Sequence, residues 1–275
     1  MRIEKLNHAD PGVRQRLMDY LAPHEPHALF ILGNLVADFP ESHLYVAVES
    51  DRWLGVAGYY AVPKSLVPFS RDAEAVRRLI RHVVALHPEV RYIIGIDYAA
   101  EPACDEVFSM GYEPANQPRT IFMECEAPPP RQPHQELCRP MREEDLPQVA
   151  RLIRHVRKEI PLGDPVVRES ELALARMAAL RHVLEVDGRI VSIASTNGKG
   201  VSAFQILGVV TDSNERGRGY AGTVCASLYH DMARQGVARC VLFTPDDNLT
   251  AQRCYQRLGF RQTGMFCVAK LRPRE

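Results

Sequence analysis

The chain has 275 residues, 34 Lys+Arg against 34 Asp+Glu and a hydrophobic content of 46%, the make-up of a globular protein of one large or two medium domains. No apolar run approaches the ~18 residues of a membrane span, and the first ten residues are too polar for a signal peptide. No basic tract carries interleaved aromatics, so a cytoplasmic protein with neither membrane nor nucleic-acid partner is expected.

Apolar periodicity organises the first half. Residues 1–6 read as a strand, and two helical stretches run up to Leu35. Residues 44–48 and 53–60 make a hairpin about Glu49-Ser50-Asp51-Arg52. Residues 73–86 are a helix with Val76, Leu79, Ile80, Val83 and Val84 on one face, and Asp72 is its expected N-cap. The connection before it, Val67-Pro68-Phe69-Ser70-Arg71-Asp72, has no glycine. Residues 91–97 read as a strand and 104–110 as a short helix that ends on Gly111-Tyr112. His24 and His27 read as surface-loop residues rather than metal ligands, because Pro26 opposes a helix that would align them.

Residues 127–135, A-P-P-P-R-Q-P-H-Q, carry four prolines within six residues and read as a linker. The expected division is a domain at 1–127, a linker at 128–136 and a second domain at 137–275. Residues 1–130 hold 12 Lys+Arg against 18 Asp+Glu, and 131–275 hold 22 against 16, so the balance is −6 and then +6. The second half is the one suited to a polyphosphorylated ligand. Seven cysteines without a C-x-x-C pair are expected to be free thiols, several of them in the core. No metal is expected.

After the linker, 138–141 reads as a short strand, and an acidic turn leads to a helix with Leu146, Val149, Leu152, Ile153 and Val156 on one face. Residues 169–180, rich in Ala, Leu, Glu and Arg, read as another helix. Strands at 182–186 and 189–195 flank the two-residue turn Asp187-Gly188. An apolar strand ends at Thr211, and a polar loop follows to Glu215. Arg216-Gly217-Arg218-Gly219 then opens a helix that buries Ala221, Val224, Cys225, Leu228 and Met232. A strand at 238–244 stops at Pro245, and Asp246, Asp247 and Asn248 are all good caps for a helix bearing Ala251, Cys254, Tyr255 and Leu258. That helix ends at Gly259, and a closing strand spans 263–271.

Strand, glycine-rich loop and helix together suit an anion. Amides and the helix dipole point at whatever sits over the N-terminus, and glycines let it approach the backbone. Neither G-x-G-x-x-G nor a G-K-[ST] P-loop is present.

Arg216, Gly219 and Ala221 fit the [QR]-x-x-G-x-[GA] motif of the GNAT acetyltransferase superfamily, and Asn248, Ala251, Tyr255, Gly259 and Phe260 fit its later segment. The chain resembles that superfamily over 138–272. The first half resembles a degenerate copy that lacks the glycine loop. The resemblance implies an α/β (α+β) fold of two GNAT-like domains, each a mixed, mainly antiparallel sheet flanked by helices. It implies an N-acetyltransferase that moves an acetyl group from acetyl-CoA to a primary amine, on a small molecule or protein, by direct attack.

In that family Val209, Val210 and Thr211 would meet the pantetheine arm through their backbone. Arg216, Gly217, Arg218, Gly219, Tyr220, Ala221 and Gly222 would cradle the pyrophosphate, and Asn248 would hydrogen-bond to the cofactor near the splay between strands. Tyr255 would protonate the departing thiolate. Ala203-Phe204-Gln205-Ile206 stands where many relatives carry a catalytic glutamate, and nothing in the sequence selects Glu185 or another acid as base. A catalytically weak acyl-CoA-binding sensor is the alternative, and an interaction scaffold is a third reading that the intact loop opposes. The acceptor and the oligomeric state stay open.

Overall fold

A computed structural model describes residues 1–159 and 180–274. Packing divides the chain into two units. The first is Met1–Phe122 with Phe243–Asp247 and Gln262–Glu275, and the second is Met123–Leu242 with Asn248–Arg261.

In the first unit the strands are β1 (Arg2–Leu6), β2 (Ser42–Glu49), β3 (Arg52–Tyr60), β4 (Ser65–Phe69), β5 (Tyr92–Ile96) and β6 (Tyr112–Asn116). β7 (Thr120–Cys125) begins there, and β13 (Arg261–Pro273) lies there from Gln262 onward. Pairing runs β1-β2-β3-β4-β5-β13, antiparallel except for the parallel pair β4–β5. Ser50 and Asp51 take φ of 45° and 63° in the β2–β3 turn, the positive values that a two-residue hairpin needs. Helices α1 (Pro11–Leu21) and α2 (Glu25–Val36) bury Leu17, Leu21, Ile31 and Leu32 with Val46 and Val56. Helix α3 (Ala73–Leu86) buries the expected apolar face, and Asp72 caps it by accepting from the amides of Glu74 at 2.9 Å and Ala75 at 3.1 Å.

Three expectations are corrected here. Val67, Pro68 and Phe69 lie in β4 and not in a loop, so the connection to α3 shrinks to Ser70-Arg71-Asp72. Helix α4 (Asp97–Ser109) starts well before residue 104 and tolerates Pro102, because Ala99, Ala100 and Ala103 seat its buried face. His27 belongs to the first turn of α2, where a proline is compatible with the helix, and its Nδ1 lies 3.1 Å from the Tyr98 hydroxyl.

In the second unit β12 (Arg239–Pro245, to Leu242), β11 (Ala203–Thr211), β10 (Arg189–Lys199), β9 (Arg181–Val186) and β8 (Cys138–Pro140) pair in that order. All pairs are antiparallel except β11–β12. Asp187 and Gly188, at φ 48° and 74°, form the expected hairpin turn. Helix α5 (Leu146–Glu159) buries Leu146, Val149, Leu152, Ile153 and Val156 against Val183, Ile190 and Ile193. Helices α6 (Tyr220–Arg234) and α7 (Leu249–Arg257) follow β11 and β12. The helix expected at 169–180 falls, apart from Leu180, outside the described residues.

Both units repeat one plan. A positive-φ hairpin leads to a strand that feeds a long helix and pairs in parallel with the next strand. That next strand feeds a helix stopped by a glycine in the left-handed region, Gly111 at φ 92° and Gly259 at φ 91°, and a buried aromatic follows, Tyr112 or Phe260. The closing strand β13 packs with the first unit, through β5 from Phe266↔Ile96 to Lys270↔Tyr92, rather than with the segment that precedes it in sequence.

Candidate active site

Within the second unit β11 parts from its neighbour. The parallel pairs Ala203↔Arg239, Phe204↔Cys240 and Gln205↔Val241 end there, while β11 runs on to Thr211. On its other side the register with β10 slips between Ser195↔Leu207 and Ile193↔Val210, which leaves one extra residue on β11. Gly208, at φ 60°, absorbs that bulge. Leu207 and Gly208 are exposed, and Val209, Val210 and Thr211 half-buried. The edge of β11 released from β12 offers backbone donors and acceptors to an extended ligand. Ser192 steadies it, its hydroxyl 3.1 Å from the Val210 carbonyl and 2.8 Å from the Thr211 hydroxyl.

The loop after Thr211 is built by its own polar groups. Asp212 accepts from the Asn214 amide at 3.0 Å and opens a 3-10 turn over Ser213–Glu215. Glu215 turns inward, where Arg189 donates to its Oε1 at 3.0 Å. Arg218 Nη1 lies 3.0 Å from Oε2 but off the hydrogen-bond axis, so that contact is an ion pair. Gly217 and Gly219 then take φ of 82° and 83°, and a β-carbon built on either meets nothing within 4 Å. Gly219 is the N-cap of α6, and no side chain caps that helix. The loop therefore presents amides and a positive helix end to open space, an arrangement that fits a pyrophosphate.

Tyr220, Ala221 and Gly222 form the first turn of α6. Tyr220 is buried, and a β-carbon on Gly222 would touch Cys254 Sγ of α7 at 3.5 Å, so its small size serves helix packing. Arg216 is exposed. Arg218, expected to lend charge to the ligand, shares its charge with Glu215.

Asn248 caps α7, its Oδ1 accepting from the Ala251 amide at 3.1 Å, which leaves Nδ2 as the group to offer a ligand. The helix ends in a Schellman motif, with Phe260 N to Tyr255 O at 3.1 Å and Gly259 N to Gln256 O at 3.0 Å. Tyr255 is 9% exposed, and burial, then the nearby Cys225, Cys254 and Cys240 thiols, raise its phenol above the usual range. The proton is thus retained at all physiological pH values. Glu185, open as a base from sequence, is engaged by Arg139, whose Nη2 donates to its Oε2 at 2.7 Å. Gln205 is buried on β11. Sequence reasoning missed Glu215 and the bulge. The glycine inside the strand pattern at 208 was the available signal for the bulge, whereas nothing in the sequence separates Glu215 from a solvated acid.

Among the described residues no group of three or more His, Cys, Asp or Glu is placed to hold a metal, and no helix is long and apolar enough to cross a membrane. The seven cysteines are free, five of them buried.

Residues 148–260 match the family model described as Acetyltransferase (GNAT) family. No curated protein matches the chain. Solved structures resemble it at low identity. A Drosophila protein solved in a structural genomics programme is 15% identical, with 99% of each chain covered and a TM-score of 0.67. A tandem GNAT protein from the clavulanic acid biosynthesis pathway is 15% identical over 99% of this chain and 98% of its own, with a TM-score of 0.60. A GCN5-related N-acetyltransferase from Sphaerobacter thermophilus is 16% identical over 91% and 93%, with a TM-score of 0.58. Likeness at this identity speaks for the fold, and the family assignment comes from the second unit: residues 148–260 belong to the acetyltransferase (GNAT) family, in a chain whose fold is similar to that of a tandem GNAT protein.

Proposed function

We propose that the second unit binds acetyl-CoA and transfers its acetyl group to a primary amine. The observation that carries this reading is the released end of β11, which runs over the Gly208 bulge into a loop with two positive-φ glycines and an uncapped helix N-terminus. Backbone groups of Val209, Val210 and Thr211 bind the pantetheine arm. Amides of residues 216–222 bind the pyrophosphate, assisted by Arg216 and the Asn248 amide, with Arg218 contributing less because Glu215 partly neutralises it. Acetyl-CoA supplies the acyl group as an activated thioester. Tyr255 donates its proton to the sulfur that leaves, a role suited to a phenol that burial keeps protonated.

β11 carries no carboxylate to take the amine proton, Gln205 standing on that strand, and Arg139 holds Glu185 of β9. The amine must arrive deprotonated, or lose its proton to water, and proximity to the thioester supplies the remaining acceleration. That same gap favours the second reading, an acyl-CoA sensor with little turnover. Thiol release from acetyl-CoA over an amine panel separates the two. Release above the amine-free rate supports transfer, and tight CoA binding without release supports the sensor.

A further inference from the structure

Helix α6 carries a second group of reactive side chains, remote from its glycine loop. Ser227 and Asp231 stand one turn apart on it, two and three turns beyond Tyr220. Between them reaches His182 of β9, only 2% exposed. Its Nδ1 is 3.0 Å from Ser227 Oγ, and its Nε2 is 3.2 Å from Asp231 Oδ2. A carboxylate only accepts, so Nε2 carries the ring proton, Nδ1 is bare, and the Ser227 hydroxyl donates to it. Arg234 donates to Asp231 Oδ1 at 2.8 Å and keeps it anionic.

Ser227 and His182 border a cavity of about 400 Å³ that Arg131, Arg234 and Cys138 also line. A histidine that merely tied β9 to α6 would need no open space beside its serine. We propose that Ser227 is a nucleophile toward small acyl esters that enter this cavity, with His182 as its general base and Asp231 as the carboxylate that orients the imidazole.

The chemistry closes with ester and water alone. Ser227 Oγ bonds to the ester carbonyl carbon while its proton passes to His182 Nδ1. The carbonyl π pair moves onto oxygen, in a cavity that the cationic Arg131 and Arg234 line. Collapse breaks the bond to the alcohol, which departs with the proton from His182. Water then attacks the acyl-serine by the same route, giving its proton to His182, and the acid and the free hydroxyl are released. Cys138 is not the nucleophile, because burial pushes its thiol up to about 12. His182 is held neutral at pH 7 by burial, against the opposing pull of Asp231.

Full-length protein is treated with a fluorophosphonate probe, the label is mapped by peptide mass spectrometry, and p-nitrophenyl acetate hydrolysis is followed in parallel. One equivalent of label on Ser227 is expected, with none there in Ser227→Ala and labelling at least tenfold slower in Asp231→Asn, where the imidazole tautomer is no longer set. CoA binding by both variants stays at the wild-type level, which shows that they are folded. The labelling rate should rise with pH through the titration of His182, which faces Asp231 and Arg234 on α6, Cys138 on β8 and, across the cavity, Arg131 and His230. An unlabelled wild-type Ser227 overturns the proposal without recourse to any variant. So does p-nitrophenolate release that is equal in wild type and Ser227→Ala, or labelling at an equal rate in Asp231→Asn.

Discussion

Gly219 and Gly222 lie three residues apart, and the same change to alanine should have opposite effects at the two. Gly219 sits at φ 83° with open space where a β-carbon would go, the space assigned to the pyrophosphate. Gly219→Ala brings backbone strain of about 1–2 kcal/mol and a methyl group into that space. CoA affinity measured by calorimetry is expected to fall tenfold or more, about 1.4 kcal/mol, with the circular dichroism spectrum kept. Gly222 is helical, and its new methyl would make ordinary contact with Cys254. Gly222→Ala should keep CoA affinity and gain about 0.5–1 kcal/mol of stability from helix propensity. Equal losses of affinity in the two variants would contradict the loop assignment. At Tyr255, removing only the hydroxyl tests the acid: Tyr255→Phe should lower kcat roughly 10²-fold and leave KM for acetyl-CoA near wild type. Because burial raises this phenol, kcat should show no fall from its ionisation before about pH 10.

At the scale of elements, the N-termini of α3 and α6, which follow the first strand of each parallel pair, are treated differently. The α6 terminus is uncapped and faces the glycine loop, whereas Asp72 already occupies the α3 amides with a carboxylate. Ser70 braces that cap, its hydroxyl accepting from the Asp72 amide at 3.0 Å and donating to the Leu54 carbonyl at 2.5 Å. Asp72→Ala should cost about 1 kcal/mol in urea unfolding. Calorimetric titration should find one CoA site per chain, and the same number in this variant, because the α3 entry still lacks glycines. A second site in either protein would mean that the first unit binds the cofactor. The proline-rich segment is also better held than its composition implies. His230 Nε2 donates to Pro129 O at 2.7 Å, Gln135 donates to His230 Nδ1 at 2.7 Å, and Thr223 Oγ1 donates to Pro133 O at 2.9 Å.

For the molecule as a whole, pH should act in two stages. His24, His43, His87 and His182 are all lowered, in each case chiefly by burial. Between their folded values and the unfolded value of about 6.5, the unfolded chain binds protons that the folded chain does not. Their contribution is present above that value and is lost as pH falls through it. Asp145 is lowered, first by its hydrogen bond from Arg139, and its contribution is lost only under more acid conditions, as pH falls below the ordinary carboxylate range. The melting temperature should therefore fall between pH 7 and 5 and again below about pH 4. A flat profile from pH 7.5 to 5 would show that the folded and unfolded chains bind protons at these imidazoles equally.

Local chemistry made much of this protein legible from its residues alone. The Asp72 and Asn248 caps, the Asp187-Gly188 turn, the apolar faces of α3 and α5 and the glycine stop at Gly259 depend on side chains a few positions apart, and all are where periodicity and capping rules put them. The glycine loop belongs to the same class, because positive φ at Gly217 and Gly219 is a property of residue type. Long-range packing settled the rest. Pro68 reads as a loop until β4 is seen paired with β3, and the helix reads as starting at 104 until buried Ala99, Ala100 and Ala103 are seen to seat a helix that begins at Asp97. Glu215 reads as a surface acid until Arg189, 26 positions earlier, turns out to hold it. His182 meets Ser227 and Asp231 only because β9 lies under α6, a juxtaposition that no spacing rule along the chain encodes.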